Sequence, residues 1–207
     1  LTTDATRNVT YRAAAGSDHG GVLGAGVHVT SATSHTLRVQ DPNMALVGLS
    51  VGNTATSSPA LLVSSTPLSC DSCIIAVSHG VGGIGAVQMN PGSAGLMLYS
   101  NCVLARTGGS NDVVYVPTYG ATPISFELQN CTLINGEVLV NNTTASGVVN
   151  AALVNTLALG SNSYRVLGTG TVNASGTGNV GGATTPFPVA QQALSQTWTF
   201  TSDDTAV

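Results

Sequence analysis

The chain has 207 residues, five Arg and no Lys, nine acidic residues and a net charge of −4, with charged residues making up only 7% of it. Without clustered cations it cannot grip a phosphate backbone, and no apolar run approaches the ~18 uninterrupted residues of a spanning helix, so neither nucleic acid nor a membrane is an expected partner. Its 43% hydrophobic content and 25 Gly exclude a disordered chain and suit many short strands joined by tight turns in one elongated domain.

From the N-terminus, which carries neither a basic nor an apolar leader-like segment, the first β-prone run is Asn8-Val9-Thr10-Tyr11-Arg12. A Gly- and Asp-rich loop from Gly16 to Gly26 follows, with His19 in it, and then the alternating Val27-His28-Val29-Thr30. Thr36-Leu37-Arg38-Val39 and Ala45 to Val51 read as two strands separated by the turn Gln40-Asp41-Pro42-Asn43, whose Asp-Pro-Asn chemistry is that of a tight turn. Ala60-Leu61-Leu62-Val63 gives another strand, and Gly80 to Gly85 a glycine-rich corner that matches no nucleotide-binding loop.

The middle of the chain repeats itself. Ser72-Cys73-Ile74-Ile75, Asn101-Cys102-Val103-Leu104 and Asn130-Cys131-Thr132-Leu133 place Cys73, Cys102 and Cys131 at two intervals of 29 residues. Each phrase is a small polar residue, a Cys and β-prone apolar positions. A fixed interval of this length with strand-like units predicts a solenoid whose turns bury their faces against one another. Gly48-Leu49-Ser50-Val51 reads as an earlier member and Asn150-Ala151-Ala152-Leu153 as a later one. The predicted inward column is therefore Leu49, Cys73, Cys102, Cys131 and Ala151. One position earlier, Gly48, Ser72, Asn101, Asn130 and Asn150 form a predicted corner column, since Asn tolerates left-handed backbone and can hydrogen-bond along a stack.

Four Cys are too few for a disulfide scaffold. Cys70 and Cys73 form a C-x-x-C, for which a redox pair, a reactive Cys70 or half a zinc site are the sharp readings. Stacked buried thiols explain the spacing better, because zinc motifs bring paired ligands from both sides. No cofactor or metal is expected.

The Gly- and Asn-rich segment from Gly168 to Gly182 reads as a last narrow coil or an irregular cap. Beyond it Pro186 and Pro188 break the pattern, Val189 to Leu194 suits a short helical turn, and Thr197-Trp198-Thr199-Phe200-Thr201 alternates as a strand. Solenoid ends need covering, so residues 1–182 are assigned to the coil domain and 183–207 to a cap or arm, with Trp198 and Phe200 as partner contacts.

Strands ending in Gly-Leu-Ser-Val, Ser-Cys-Ile-Ile, Asn-Cys-Val-Leu and Asn-Cys-Thr-Leu resemble the rungs of right-handed parallel β-helix proteins of the pectate-lyase-like kind, a fold shared by many bacteriophage tail-spike and virion proteins. The opening Leu1 to Thr6 followed by Val9-Thr10-Tyr11-Arg12 is similar to the start of such regions in phage structural proteins. The expected fold is all-β, a right-handed parallel β-helix of about seven coils with a C-terminal cap. A pectate-type lyase would imply acidic calcium ligands on one face and an Arg or Lys base; here the acids are scattered and Lys is absent.

A glycoside hydrolase needs two facing carboxylates, and Glu127 with Glu137 is the best pair available, although solvated positions explain both residues more simply. A Ser/His/Asp system drawn from His79 and Asp71 is matched by chance in so Ser-rich a chain, and no G-x-S-x-G elbow occurs. The His residues lack metal-pair spacing, and Tyr115 and Tyr119 flank Pro117 as ordinary loop packing or a partner contact. Five glycosylation sequons, among them Asn8-Val9-Thr10 and Asn173-Ala174-Ser175, are coincidental in this composition.

The expectation is a non-enzymatic virion structural protein of a tailed bacteriophage, a capsid decoration, fibre or spike that contacts other capsid or tail proteins. The resemblance also implies a homo-oligomer such as a trimer. The runner-up is a receptor-binding depolymerase acting on a surface glycan, and a third reading is a secreted or cell-surface adhesin.

Overall fold

A computed structural model describes residues 9–78, 84–90, 92–108, 111–118, 120–159, 164–181 and 191–193. They form three parallel sheets wound into a β-solenoid of about six turns, with no helix among the described residues. The first sheet takes Val9–Arg12, Met44–Val47, Leu68–Asp71, Leu96–Ser100, Ile124–Gln129, Val148–Val154 and Thr171–Thr177. The second takes His28–Ser31, Ser50–Asn53, Ile74–Val77, Val103–Arg106, Thr132–Ile134, Leu157–Leu159, Asn179–Gly181 and Gln191–Ala193. The third takes Leu37–Val39, Leu61–Val63, Val87–Met89, Asn111–Thr118, Gly136–Asn142 and Tyr164–Gly168. Six turns thus supply a strand to every sheet, slightly fewer than the seven coils expected.

Each strand pairs with its equivalent one turn away, about 4.8 Å along the solenoid. Alternation sends every second residue inward. Val51, Ile75, Leu104, Leu133 and Ala158 face the core from the second sheet, and Met97, Phe126 and Ala151 from the first. Because each inward residue stacks on its own equivalents, aliphatic side chains fill the interior without any layer behind the sheets.

The corner between the first and second sheets is two residues long, and the first of the two needs left-handed backbone. Gly48, Ser72, Asn101, Asn130, Asn155 and Gly178 occupy it in successive turns, with φ of 67°, 52°, 55°, 51°, 49° and 69°. Glycine and asparagine carry this conformation at least cost. Ser72 is the exception, and it is held by its neighbours: its N–H donates to Ser100 O at 2.9 Å and its carbonyl accepts from His19.

Three assignments made from the sequence change here. Asn130 is followed in the corner column by Asn155, not Asn150, and Cys131 by Thr156, not Ala151, because Thr132 pairs with Leu157. Asn150 and Ala151 lie in the first sheet beside Ser125 and Phe126. The interval from Asn130 to Asn155 is 25 residues, a full turn. Residues 191–193, expected within a helical turn, are a strand on the edge of the second sheet. Trp198, Phe200 and the remainder of 183–207 lie outside the described residues.

Candidate functional site

The three sheets present three outer faces of different chemistry. The first is polar. Asn173 Nδ2 donates to Asn150 Oδ1 at 2.9 Å, and Asn150 Nδ2 to Ser125 Oγ at 3.1 Å, forming an amide chain across three turns. Glu127 stands in the adjacent column beside Ala152 and accepts from Gln129 Nε2 at 2.6 Å. Together they line a shallow depression of about 310 Å³ bordered by Leu96.

The third sheet holds a buried charge cluster. Asp112 and Glu137 are register partners on neighbouring strands, and each is about 1% exposed. Arg165 Nη2 lies 2.6 Å from Glu137 Oε1 and 3.5 Å from Asp112 Oδ1. Arg106, also fully buried, donates from Nε to Gly108 O at 2.8 Å and from Nη1 to Asp112 O at 3.1 Å. Two acids and two bases balance. Burial pushes the Glu137 carboxyl above its usual range, the Arg165 guanidinium opposes that rise, and Asp112 adds to it. Arg106 is lowered by its own burial.

This arrangement separates the two carboxylates proposed from the sequence. Glu127 and Glu137 belong to different sheets, so they form no acid–base pair. Glu137 is matched instead with Asp112, which sequence inspection left unassigned. The signal was available as spacing: Asp112, Glu137 and Arg165 follow one another at intervals of one turn. Tyr115 is 8% exposed and its hydroxyl accepts from Asn141 Nδ2 at 3.2 Å. Buried in this way, it offers no ring to a partner. Tyr119 and His79 lie outside the described residues, and Asp71 Oδ1 accepts from Asn101 Nδ2 at 2.9 Å.

The four thiols are free and buried. Cys73, Cys102 and Cys131 stand directly after the corner residues, at equivalent register positions. Cys102 Sγ is 3.2 Å from Ser100 O and 3.6 Å from Cys70 O, and Cys131 Sγ is 3.4 Å from both Gln129 O and Tyr99 O. Thr156 repeats the pattern with its hydroxyl, donating to Val154 O and Leu128 O at 3.3 and 3.2 Å. Asn179 continues it through Nδ2 to Leu153 O at 2.7 Å. From Cys73 to Asn179 the column thus carries a side chain that can donate to the backbone of its own turn or the previous one, while Leu49 fills the same position one turn before Cys73 with an apolar group. Burial pushes the Cys70 thiol well up, opposite to what a reactive thiolate requires. Among the described residues no group of three or more His, Cys, Asp or Glu is arranged to hold a metal ion.

The second sheet's outer face is apolar. Ile74, Val103, Thr132, Leu157 and Val180 form one outward column, and Ala76, Ala105, Ile134 and Leu159 the next. No charged side chain interrupts either column over these turns. Ile74, Ala76 and Ala105 are buried, whereas Val103, Ile134, Leu157, Leu159 and Val180 remain part-exposed. Outward strand positions facing only water normally carry polar groups; here the part-exposed ones are apolar except for Thr132.

No family model, no curated protein and no solved structure matches this chain.

Proposed function

We propose that this protein is a rigid, non-enzymatic structural component of an assembled particle, a β-helical decoration, fibre or spike segment of a tailed-bacteriophage virion. It works by docking the outer face of its second sheet against other particle proteins or further copies of itself. The observation that carries this reading is the apolar strip from Val103 through Ile134 and Leu157 to Leu159. A solenoid has an unusually stiff frame, since every turn is hydrogen-bonded to both neighbours, and such a frame presents a long strip without ordering cost at the moment of contact. The resemblance of the Asn-Cys rungs to phage β-helices supplies the setting.

The charge cluster serves the same frame. Asp112, Glu137 and Arg165 come from three successive strands, and pairing them pins those strands in register. A depolymerase would instead hold its carboxylates open to a glycan, as the buried Asp112 and Glu137 do not. Quantitative mass spectrometry of gradient-purified particles tests the proposal: the chain is expected in fixed ratio to a shell or tail protein. Release of reducing sugar from host polysaccharide that is lost in Glu137→Gln would overturn it.

A further inference from the structure

The loop from Ala13 to Val27 folds back over the corner between the first and second sheets. Its ends are pinned to the coils by Ala13 N–H to Val47 O and by Ser50 N–H to Val27 O, each at 3.0 Å. From its middle, His19 Nε2 reaches Ser72 O at 2.7 Å and Gly24 N–H donates to Ser50 Oγ at 3.1 Å. His19 Nδ1 accepts the N–H of Gly21 at 2.9 Å, which places the ring proton on Nε2, where it donates to Ser72 O. The observed loop therefore requires the neutral imidazole in one tautomer.

We infer that the tip of this loop, Gly20 to Gly24, is a pH-sensitive flap released when His19 takes up a proton. The incoming proton occupies Nδ1 and faces the Gly21 N–H, so an accepted hydrogen bond becomes two hydrogens aimed at one another. The ring does not turn away, because its Nε2–H bond to Ser72 O becomes charge-assisted and holds it more firmly. His19 stays seated and the tip gives way. Left-handed glycines at positions 20, 21 and 24 let that segment rearrange without a steric barrier.

His28 sits against the same loop and behaves differently. Its Nδ1 lies 2.9 Å from Ser50 Oγ, a hydroxyl that can donate to the neutral ring or accept from the charged one. Protonation there is accommodated. The charged groups around His19 are Asp18 of the same loop, Arg12 at the end of the first strand and Asp71 beside Ser72.

Ser50, fully buried beneath the tip, lies in the outward column between His28 and Ile74, so release of the flap uncovers a polar end of that column. Amide hydrogen exchange of the full chain, corrected for intrinsic rates, tests it at about pH 7.5 and 5.5. Protection at Gly21 and Gly24 is expected to fall several-fold, to a ceiling of about tenfold, on acidification in the wild type and in His28→Gln, and to stay unchanged in His19→Gln. Protection independent of pH in the wild type, or an equal fall in His19→Gln, would overturn the inference.

Discussion

Asn130 donates its side-chain amide to the side-chain carbonyl of Asn101 one turn below, at 3.3 Å, while both residues hold left-handed backbone. Asn155 does the same to Asn130 at 3.2 Å. One residue type thus meets two demands of the corner, a conformation that most side chains resist and a hydrogen bond along the stack.

These demands separate by substitution. Asn130→Ala loses both amide contacts and places a Cβ-bearing residue without local hydrogen bonding in the left-handed region, costing about 2 kcal/mol. Asn130→Gly loses the amide but relieves the backbone, and its cost is about 1 kcal/mol smaller. Urea denaturation of the two variants measures the difference, and equal costs would show that backbone conformation is irrelevant there.

The Cys column is a donor column. Cys131→Thr reproduces the group found at Thr156 and is expected to leave stability within about 1 kcal/mol of wild type. Cys102→Val has the shape of the Thr found at position 156 but lacks its donor, and is expected to cost about 1 kcal/mol. A Cys131→Thr protein much less stable than Cys102→Val would reverse the interpretation.

Removing Arg165 leaves two buried carboxylates side by side. Arg165→Met is expected to destabilise by about 3 kcal/mol, the lower end for a broken buried pair because the Arg side chain is 39% exposed. The pH dependence has a definite sign. The folded-state pKa of Glu137 is raised above its unfolded value, so its contribution to stability is most favourable below the unfolded carboxylate range and is lost as pH rises through the folded pKa. The stability of wild type relative to Glu137→Gln should therefore fall between about pH 4 and the raised value, then level off. Urea midpoints across that interval check it; a relative stability that rises with pH would contradict the assignment.

The solenoid was legible in the sequence because the corner residue and the donor after it recur as letters: Ser-Cys, Asn-Cys, Asn-Cys. The next turn was misassigned because Thr156 performs the same chemistry under a different letter. Asn150-Ala151 kept an Asn in view and drew the alignment five residues too early. From Cys73 onward hydrogen-bond donation, rather than residue identity, is what recurs at the position, and Asn179 meets it with an amide, whereas Leu49, one turn before Cys73, does without. The charge cluster escaped for a related reason. Asp112, Glu137 and Arg165 look scattered along a chain read linearly, and only placement on successive turns makes them neighbours. Glu127 and Glu137 are ten residues apart in sequence, yet the chain passes from the first sheet to the third between them.

The contact face is the claim on which the functional account stands. Leu157→Asp places a charge at the centre of the strip, on an outward position where the core is untouched, so stability should change by less than about 1 kcal/mol. The decisive measurement is incorporation of this variant into particles in competition with the wild-type chain. The account predicts that Leu157→Asp keeps the wild-type urea midpoint and is excluded from particles; incorporation at the wild-type ratio would contradict it.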